Sequence, residues 1–124
     1  MAGEQNLETA RKAYAAFSAG DAEGAMTAID DDVEWITPGS SAIAGTARGK
    51  QAVGELWGKF LEKGFTTNPQ YWFADDERVV VLTQITLDGQ SADQADVLTF
   101  RNGKVVKFQS ASDTALLERV YGGN

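Results

Sequence analysis

The chain predicts an α+β fold in which helices pack on one face of a curved antiparallel sheet, with a short helix near the C-terminal end. Three observations carry this. Apolar residues recur at helical spacing over the first half. Period-2 alternation takes over from residue 65, and Asp88-Gly89 and Asn102-Gly103 punctuate the second half as hairpin turns. The order is three helices with one strand among them, four antiparallel strands, and a closing helix. Residues 1–124 read as one domain without repeat or linker.

Residues 5 to 19 form the first predicted helix, on a stripe of Leu7, Ala10, Tyr14 and Phe17 ended by Gly20. Asp21 is placed as the N-cap of a second helix through Ile29, with Ala25, Met26 and Ile29 as its apolar side. The run Asp30-Asp31-Asp32 reads as a solvated turn into a short strand, Val33 to Ile36, with Val33 and Trp35 on one face. Thr37 to Gly49 is a loop that either borders a functional site or serves as a crossover. The third helix, Lys50 to Lys63, carries a wide stripe of Val53, Leu56, Trp57, Phe60 and Leu61, and Gly64 closes it. Gly54 and Gly58 each cost about 1 kcal/mol relative to Ala in a helix, which points to the close approach of another element.

Phe65 to Ala74 predicts a strand with Phe65, Thr67, Pro69, Tyr71 and Phe73 on one face, and Pro69 assigns it to an edge or a bulge. Asp75-Asp76-Glu77 is a turn, and Arg78 to Leu87 is the strongest strand. In the last hairpin two registers compete. A two-residue loop pairs Arg101 with Lys104. A three-residue loop, Arg101 to Gly103, pairs Phe100 with Lys104, Leu98 with Val106, Asp96 with Phe108 and Gln94 with Ser110. A one-residue slip exchanges the faces of a strand. The second register gives one coherent inner face of Gln94, Asp96, Leu98, Phe100, Val106, Phe108, Ser110 and Ser112, and it is the expected one. Asp113 caps a final helix, Thr114 to Tyr121.

Composition narrows the function. With 18 acidic and 11 basic residues the net charge is −7, and no basic stripe offsets it, so neither nucleic acid nor an anionic membrane is an expected partner. A long apolar run and a charged-then-apolar leader are both missing, so no membrane span or secretory signal is expected and the expected location is cytoplasmic. There is no Cys to build a disulfide framework. The absence of His excludes Ser-His-Asp and Cys-His catalysis and the common His-bearing zinc sites. Acid–base chemistry must then rest on Asp, Glu, Tyr or Lys. The acidic runs lack the spaced calcium-loop pattern, and Gly45 to Gly49 lacks the Gly-Lys-Ser/Thr ending of a phosphate cradle, so no metal and no cofactor are expected.

Asp96 is the candidate functional acid, because an aspartate among apolar neighbours has its charged form destabilised and its pKa raised. The competing reading is a structural aspartate bonded to Tyr14, Ser110 or a backbone amide. Asp93, three residues away in a strand, faces the other side. Trp35, Trp57, Phe60, Tyr14, Tyr71 and Phe108 either line an apolar ligand pocket or are plain core. Ser110 and Ser112 read as polar groups that orient a ligand, or as solvated strand ends. Arg48 and Lys50 read as surface charges.

The segments SAGDAEGAM, DDDVEWITPG, GTARGKQAVGELW and ADVLTFRNGKVVKFQSASDTALL, in this order, resemble the nuclear transport factor 2-like superfamily, in particular its SnoaL-like branch. The resemblance implies a cone-shaped sheet wrapping a deep cavity closed by the helices, and a homodimer through the outer sheet face. It also implies kinship with ketosteroid isomerases, limonene epoxide hydrolases and polyketide cyclases. Asp96, in DVLTF, falls where ketosteroid isomerases keep the aspartic acid of their oxyanion hole. Their tyrosine falls at Ala13, one residue from Tyr14, and their general base at Thr37. The epoxide hydrolase carboxylates fall at Val80 and Ser110, with Arg78 alone retained. Polyketide cyclases use a single acidic residue in the cavity, which Asp96 supplies. Three functions stay open: a proton-transfer enzyme using Asp96 with Tyr14 or Ser110 assisting, a non-catalytic binder of a small hydrophobic molecule, and a dimeric interaction module.

Overall fold

The computed structural model describes residues 2–123. Its elements are α1 (Ala2–Ser18), α2 (Ala22–Met26), β1 (Ile29–Thr37), β2 (Gly45–Arg48), α3 (Gly49–Glu62), β3 (Thr66–Ala74), β4 (Arg78–Leu87), β5 (Gln90–Arg101), β6 (Lys104–Ala111) and α4 (Thr114–Tyr121). The strands make one curved, unclosed sheet in the order β2-β1-β6-β5-β4-β3. Every pairing is antiparallel except β1 with β6, which is parallel, so the sheet is mixed at that point. Helices α1 and α3 pack across its concave side.

Strand β4 shows why the sheet has an inside. Its alternation buries Val79, Val81, Thr83, Ile85 and Leu87 and leaves the residues between them half-buried or exposed. The core forms two clusters. One gathers Val33, Val53, Trp57, Val79, Val81, Leu98, Phe100, Val105 and Phe108, and the other Ile85, Leu87, Leu116 and Leu117.

Several expectations are corrected. Helix α2 stops at Met26, because the Thr27 hydroxyl donates to Gly24 O and Ile29 already pairs with Val105 in β6. Asp21 does cap it, accepting from Gly24 N at 2.8 Å. The run Asp30-Asp31-Asp32 is not a turn before the strand. It is the stretch of β1 over which the register with β6 shifts, between Ile29 and Glu34. The expected loop from Thr37 contains a short strand, β2, antiparallel to β1 with Ala47 opposite Trp35. The remaining loop docks on the C-terminal end, where Ala42 N donates to Gly122 O. There Gly39 has φ of 92°, and a Cβ on it would stand 2.8 Å from the Thr114 side chain, so glycine is required. The close approach inferred from Gly54 and Gly58 is absent: Gly54 meets only the Met26 side chain at ordinary contact and Gly58 faces open space. Leu61 is exposed, which narrows the stripe of α3.

Two bulges matter for function. In β3 the pairing runs Pro69 with Thr83 and then Tyr71 with Leu82, leaving Gln70 as an extra residue. Pro69 thus sits in an edge strand beside a bulge, as its missing N–H requires. The extra residue exchanges the faces: Thr67 points inward with Ile85, whereas beyond the bulge Trp72 turns inward with Val81 and Tyr71 and Phe73 turn out.

The second bulge lies in the β5–β6 hairpin. Its turn is the two-residue form, with Asn102 and Gly103 both at positive φ (53° and 77°) and Arg101 opposite Lys104. Phe100 then pairs with Val105, Thr99 with Lys107, Leu98 with Phe108 and Asp96 with Ser110. The expected three-residue register is therefore wrong at every pair. The inner face nevertheless holds the expected residues with one exchange: Val105 is buried in place of Val106, which is the bulged residue.

Candidate functional site

The strands β1, β5 and β6 and the helices α1 and α3 enclose a cavity of about 110 Å³ that draws its walls from both core clusters. Its apolar side begins on the sheet. Trp35 and Phe108, cross-strand partners in β1 and β6, stack with ring centroids 3.6 Å apart and planes 9° from parallel. Trp57, carried inward by the α3 stripe, meets Trp35 edge-on at 5.5 Å and Phe17 at 5.3 Å. Phe60 and Phe65 close the end nearest α4.

The polar side is a single line of residues from α1, β5 and β6. Asp96 lies on the inner face of β5 and is 3% exposed. The Tyr14 hydroxyl, from the inner stripe of α1, donates to Asp96 Oδ2 at 2.5 Å. Gln94 Nε2, two residues along β5, donates to Asp96 Oδ1 at 2.7 Å. Ser112 Oγ lies 2.7 Å from Gln94 Oε1 and 3.1 Å from Ser110 Oγ. Tyr14 is half-buried as a whole, with its hydroxyl at the buried end.

Burial dominates the electrostatics here. It pushes the Asp96 carboxyl up from 3.8 to about 6, against the opposing effect of the hydrogen bonds from Tyr14 and Gln94. Burial also pushes the Tyr14 phenol well above its usual value, and the Asp96 charge and hydrogen bond add to this. Near neutrality the pair is therefore a carboxylate of unusual basicity beside a fully protonated phenol. Such a pair can take a proton from a carbon acid and hold a hydrogen bond to its oxygen.

The cavity brings together Asp96, Tyr14, Trp35, Trp57, Phe60, Phe108, Ser110 and Ser112. Tyr71 is the exception. It is 62% exposed on the outer face, because the bulge at Gln70 reverses the parity that placed it inside. Gln94 is the residue that sequence reasoning missed. It appeared on the inner face, yet its role depends on a partner, Ser112, in the next strand. Ala13 and Thr37, where the isomerase tyrosine and base fall in the resemblance, both reach the cavity wall. Asp93 is exposed, while Arg48 and Lys50 pair with Glu34 and Asp31. Among the described residues no group of three His, Cys, Asp or Glu side chains is placed to hold a metal ion, and no helix is long and apolar enough to cross a membrane.

Comparison with known proteins gives these features a family. No curated protein matches the chain by sequence. The chain is similar to the structure of Bal32a from a soil-derived mobile gene cassette, at 30% identity and a TM-score of 0.89, covering 98% of this chain and 99% of that one. An NTF2-like protein of unknown function from Burkholderia pseudomallei K96243 is 29% identical, with a TM-score of 0.82 and coverage of 94% and 97%. TerC, co-crystallised with polyporic acid, is 28% identical, with a TM-score of 0.80 and coverage of 94% and 98%. The model of the SnoaL-like domain matches residues 10–108, a span that runs from α1 to Phe108 and takes in Tyr14, Trp35, Trp57 and Asp96. The chain therefore belongs to the SnoaL-like family, within the nuclear transport factor 2-like superfamily.

Proposed function

We propose that the protein binds a small hydrophobic carbonyl compound in this cavity and moves a proton on it, an isomerase- or cyclase-type reaction in which Asp96 is the base and Tyr14 its hydrogen-bonding partner. One observation carries the reading: a buried carboxylate, titrating near 6 and bonded to a phenol, faces a cavity whose other walls are aromatic and aliphatic. A base works best when its pKa lies near the working pH. TerC, a neighbour of this chain, was crystallised with polyporic acid, which makes that compound a natural first ligand to test.

The experiment is deuterium exchange. Hydrophobic ketones found by a thermal-shift screen, polyporic acid included in the screen, are incubated with the protein in D₂O, and loss of the α-proton is followed by NMR. Asp96→Asn is expected to keep binding and to lose exchange by about 10²- to 10⁴-fold. Because the base acts unprotonated, the parent rate should climb with pH through about 6 and level off above it. Binding without exchange in the parent would leave the second reading, a non-catalytic binder. That reading is favoured by Ala13 and Thr37, which stand where ketosteroid isomerases keep two of their three functional groups.

The outer face supports a homodimer as part of the same proposal. Tyr71 and Phe73 on β3 are exposed beside their cross-strand partners Leu82 and Val80 on β4, an apolar patch on the convex side. Tyr71→Ser combined with Phe73→Ser is expected to convert a dimer to a monomer in light scattering without changing cavity binding. A parent that is already monomeric at high micromolar concentration refutes the dimer.

A further inference from the structure

We propose that Gln94, held by Ser112, is a positioning residue for Asp96, and that it leaves Ser110 as a free acceptor to which the bound molecule offers a hydroxyl. The inference rests on the proton-transfer reading of the cavity and adds the class of molecule: a ketone with a hydroxyl on, or beside, the carbon that gives up its proton.

The argument is a count of protons. An ionised carboxylate only accepts hydrogen bonds, and a side-chain amide donates from nitrogen and accepts at oxygen. Gln94 must therefore turn Nε2 to Asp96, which puts Oε1 against Ser112. Ser112 has one hydroxyl proton, and Gln94 Oε1 takes it. The 3.1 Å contact between the two serines is then filled by the proton of Ser110. Donation runs one way, from Ser110 to Ser112 to Gln94 to Asp96.

Ser110 has then used its only proton and keeps acceptor capacity. It lines the cavity directly across from Asp96 in the β5–β6 register. Residues so paired hold their Cβ atoms about 5 Å apart. Ser110 Oγ and the Asp96 carboxylate thus stand side by side as two acceptors, with no proton between them. A hydroxyl donor meets the first and an acidic C–H the second, which sets the two groups of the ligand on the same or adjacent carbons. Tyr14 is the one other titratable group among the lining residues, so a change in Asp96 titration after substitution at Gln94 or Ser112 has few sources.

The test has two arms. In the first, the Asp96 carboxyl is titrated by ¹³C NMR in the parent, Gln94→Leu, Gln94→Met and Ser112→Ala, each checked for a folded amide spectrum. Loss of the amide donor is expected to move the midpoint upward by about one pH unit, and Ser112→Ala to move it the same way by less. An unchanged midpoint in a folded Gln94 variant and in Ser112→Ala overturns the positioning role. In the second arm, binding of α-hydroxyacetophenone is compared with that of its methyl ether. The parent is expected to prefer the hydroxyketone about tenfold, and Ser110→Ala to lose the preference. Equal binding, a preference that survives Ser110→Ala, or no binding of either compound overturns the hydroxyketone assignment. Neither arm needs turnover, so failure of the proton-transfer reading registers separately, as absent deuterium exchange.

Discussion

At about pH 8 the Asp96→Asn variant is expected to be more stable than the parent by about 3 kcal/mol, and at about pH 3.5 to match it. The folded-state pKa of Asp96 is raised, from 3.8 to about 6, chiefly by burial. A group raised in this way contributes its stability in the protonated form. That contribution is complete below the unfolded value and is lost as pH rises through the folded one, after which the fold holds a charge it would rather not bury. Each unit between the two values corresponds to about 1.4 kcal/mol, which sets the size of the effect. Asparagine keeps the shape and still accepts the Tyr14 proton, and its amide can donate to a reoriented Gln94, so no polar group is stranded. Urea unfolding at both pH values measures the difference. A gap that is independent of pH, or that favours the parent at pH 8, would show that the carboxylate is comfortably solvated. The variant that abolishes proton transfer is then also the more stable protein, the trade-off expected where a site is built from a destabilised group.

Trp57→Ala is expected to destabilise the fold by about 3 to 5 kcal/mol. The indole is 6% exposed and joins α3 to the sheet through its edge contacts with Phe17 and Trp35. One side of it already faces open cavity, so its neighbours cannot easily close the gap, and an unfilled gap is what makes such truncations expensive. Denaturant unfolding measures the loss. A cost below about 1 kcal/mol would mean that the ring lines the chamber without supporting it. Tyr71→Ala on the outer face offers a contrast: in the monomer it should fall within about 0.5 kcal/mol of the parent.

Residue pattern reached some of this and missed the rest for physical reasons. The bounds of β4 and α4 were legible because alternation and an Asp cap are local signals, and both elements occupy the residues expected. Strand β2 was not, since Gly45 to Arg48 has too few residues to show a period and owes its conformation to pairing with β1. Bulges were the main obstacle. The one at Gln70 sends Tyr71 outward, and the one at Val106 lets a two-residue turn coexist with the inner face that had argued for a three-residue loop. Asp96 was legible as an inward acid because Leu98 and Phe100 share its parity. Tyr14 shares the stripe of Leu7, Ala10 and Phe17 on α1, which carries it to Asp96 although it stands one position from where ketosteroid isomerases keep their tyrosine. The line from Gln94 to Ser110 was illegible, because the orientation of an amide is decided by what lies on both sides of it.

All three tryptophans of the chain report on the same place. Trp35 and Trp57 line the chamber, and Trp72 meets the Tyr14 ring edge-on at 5.2 Å, with the Arg11 guanidinium 5.7 Å above it. Intrinsic fluorescence is therefore a label-free gauge of occupancy. An aromatic guest should quench the first two indoles, while ionisation of Asp96 should reach the third through the phenol, so titrating emission colour against acidity follows one carboxyl group in a protein that has no histidine to confuse the curve.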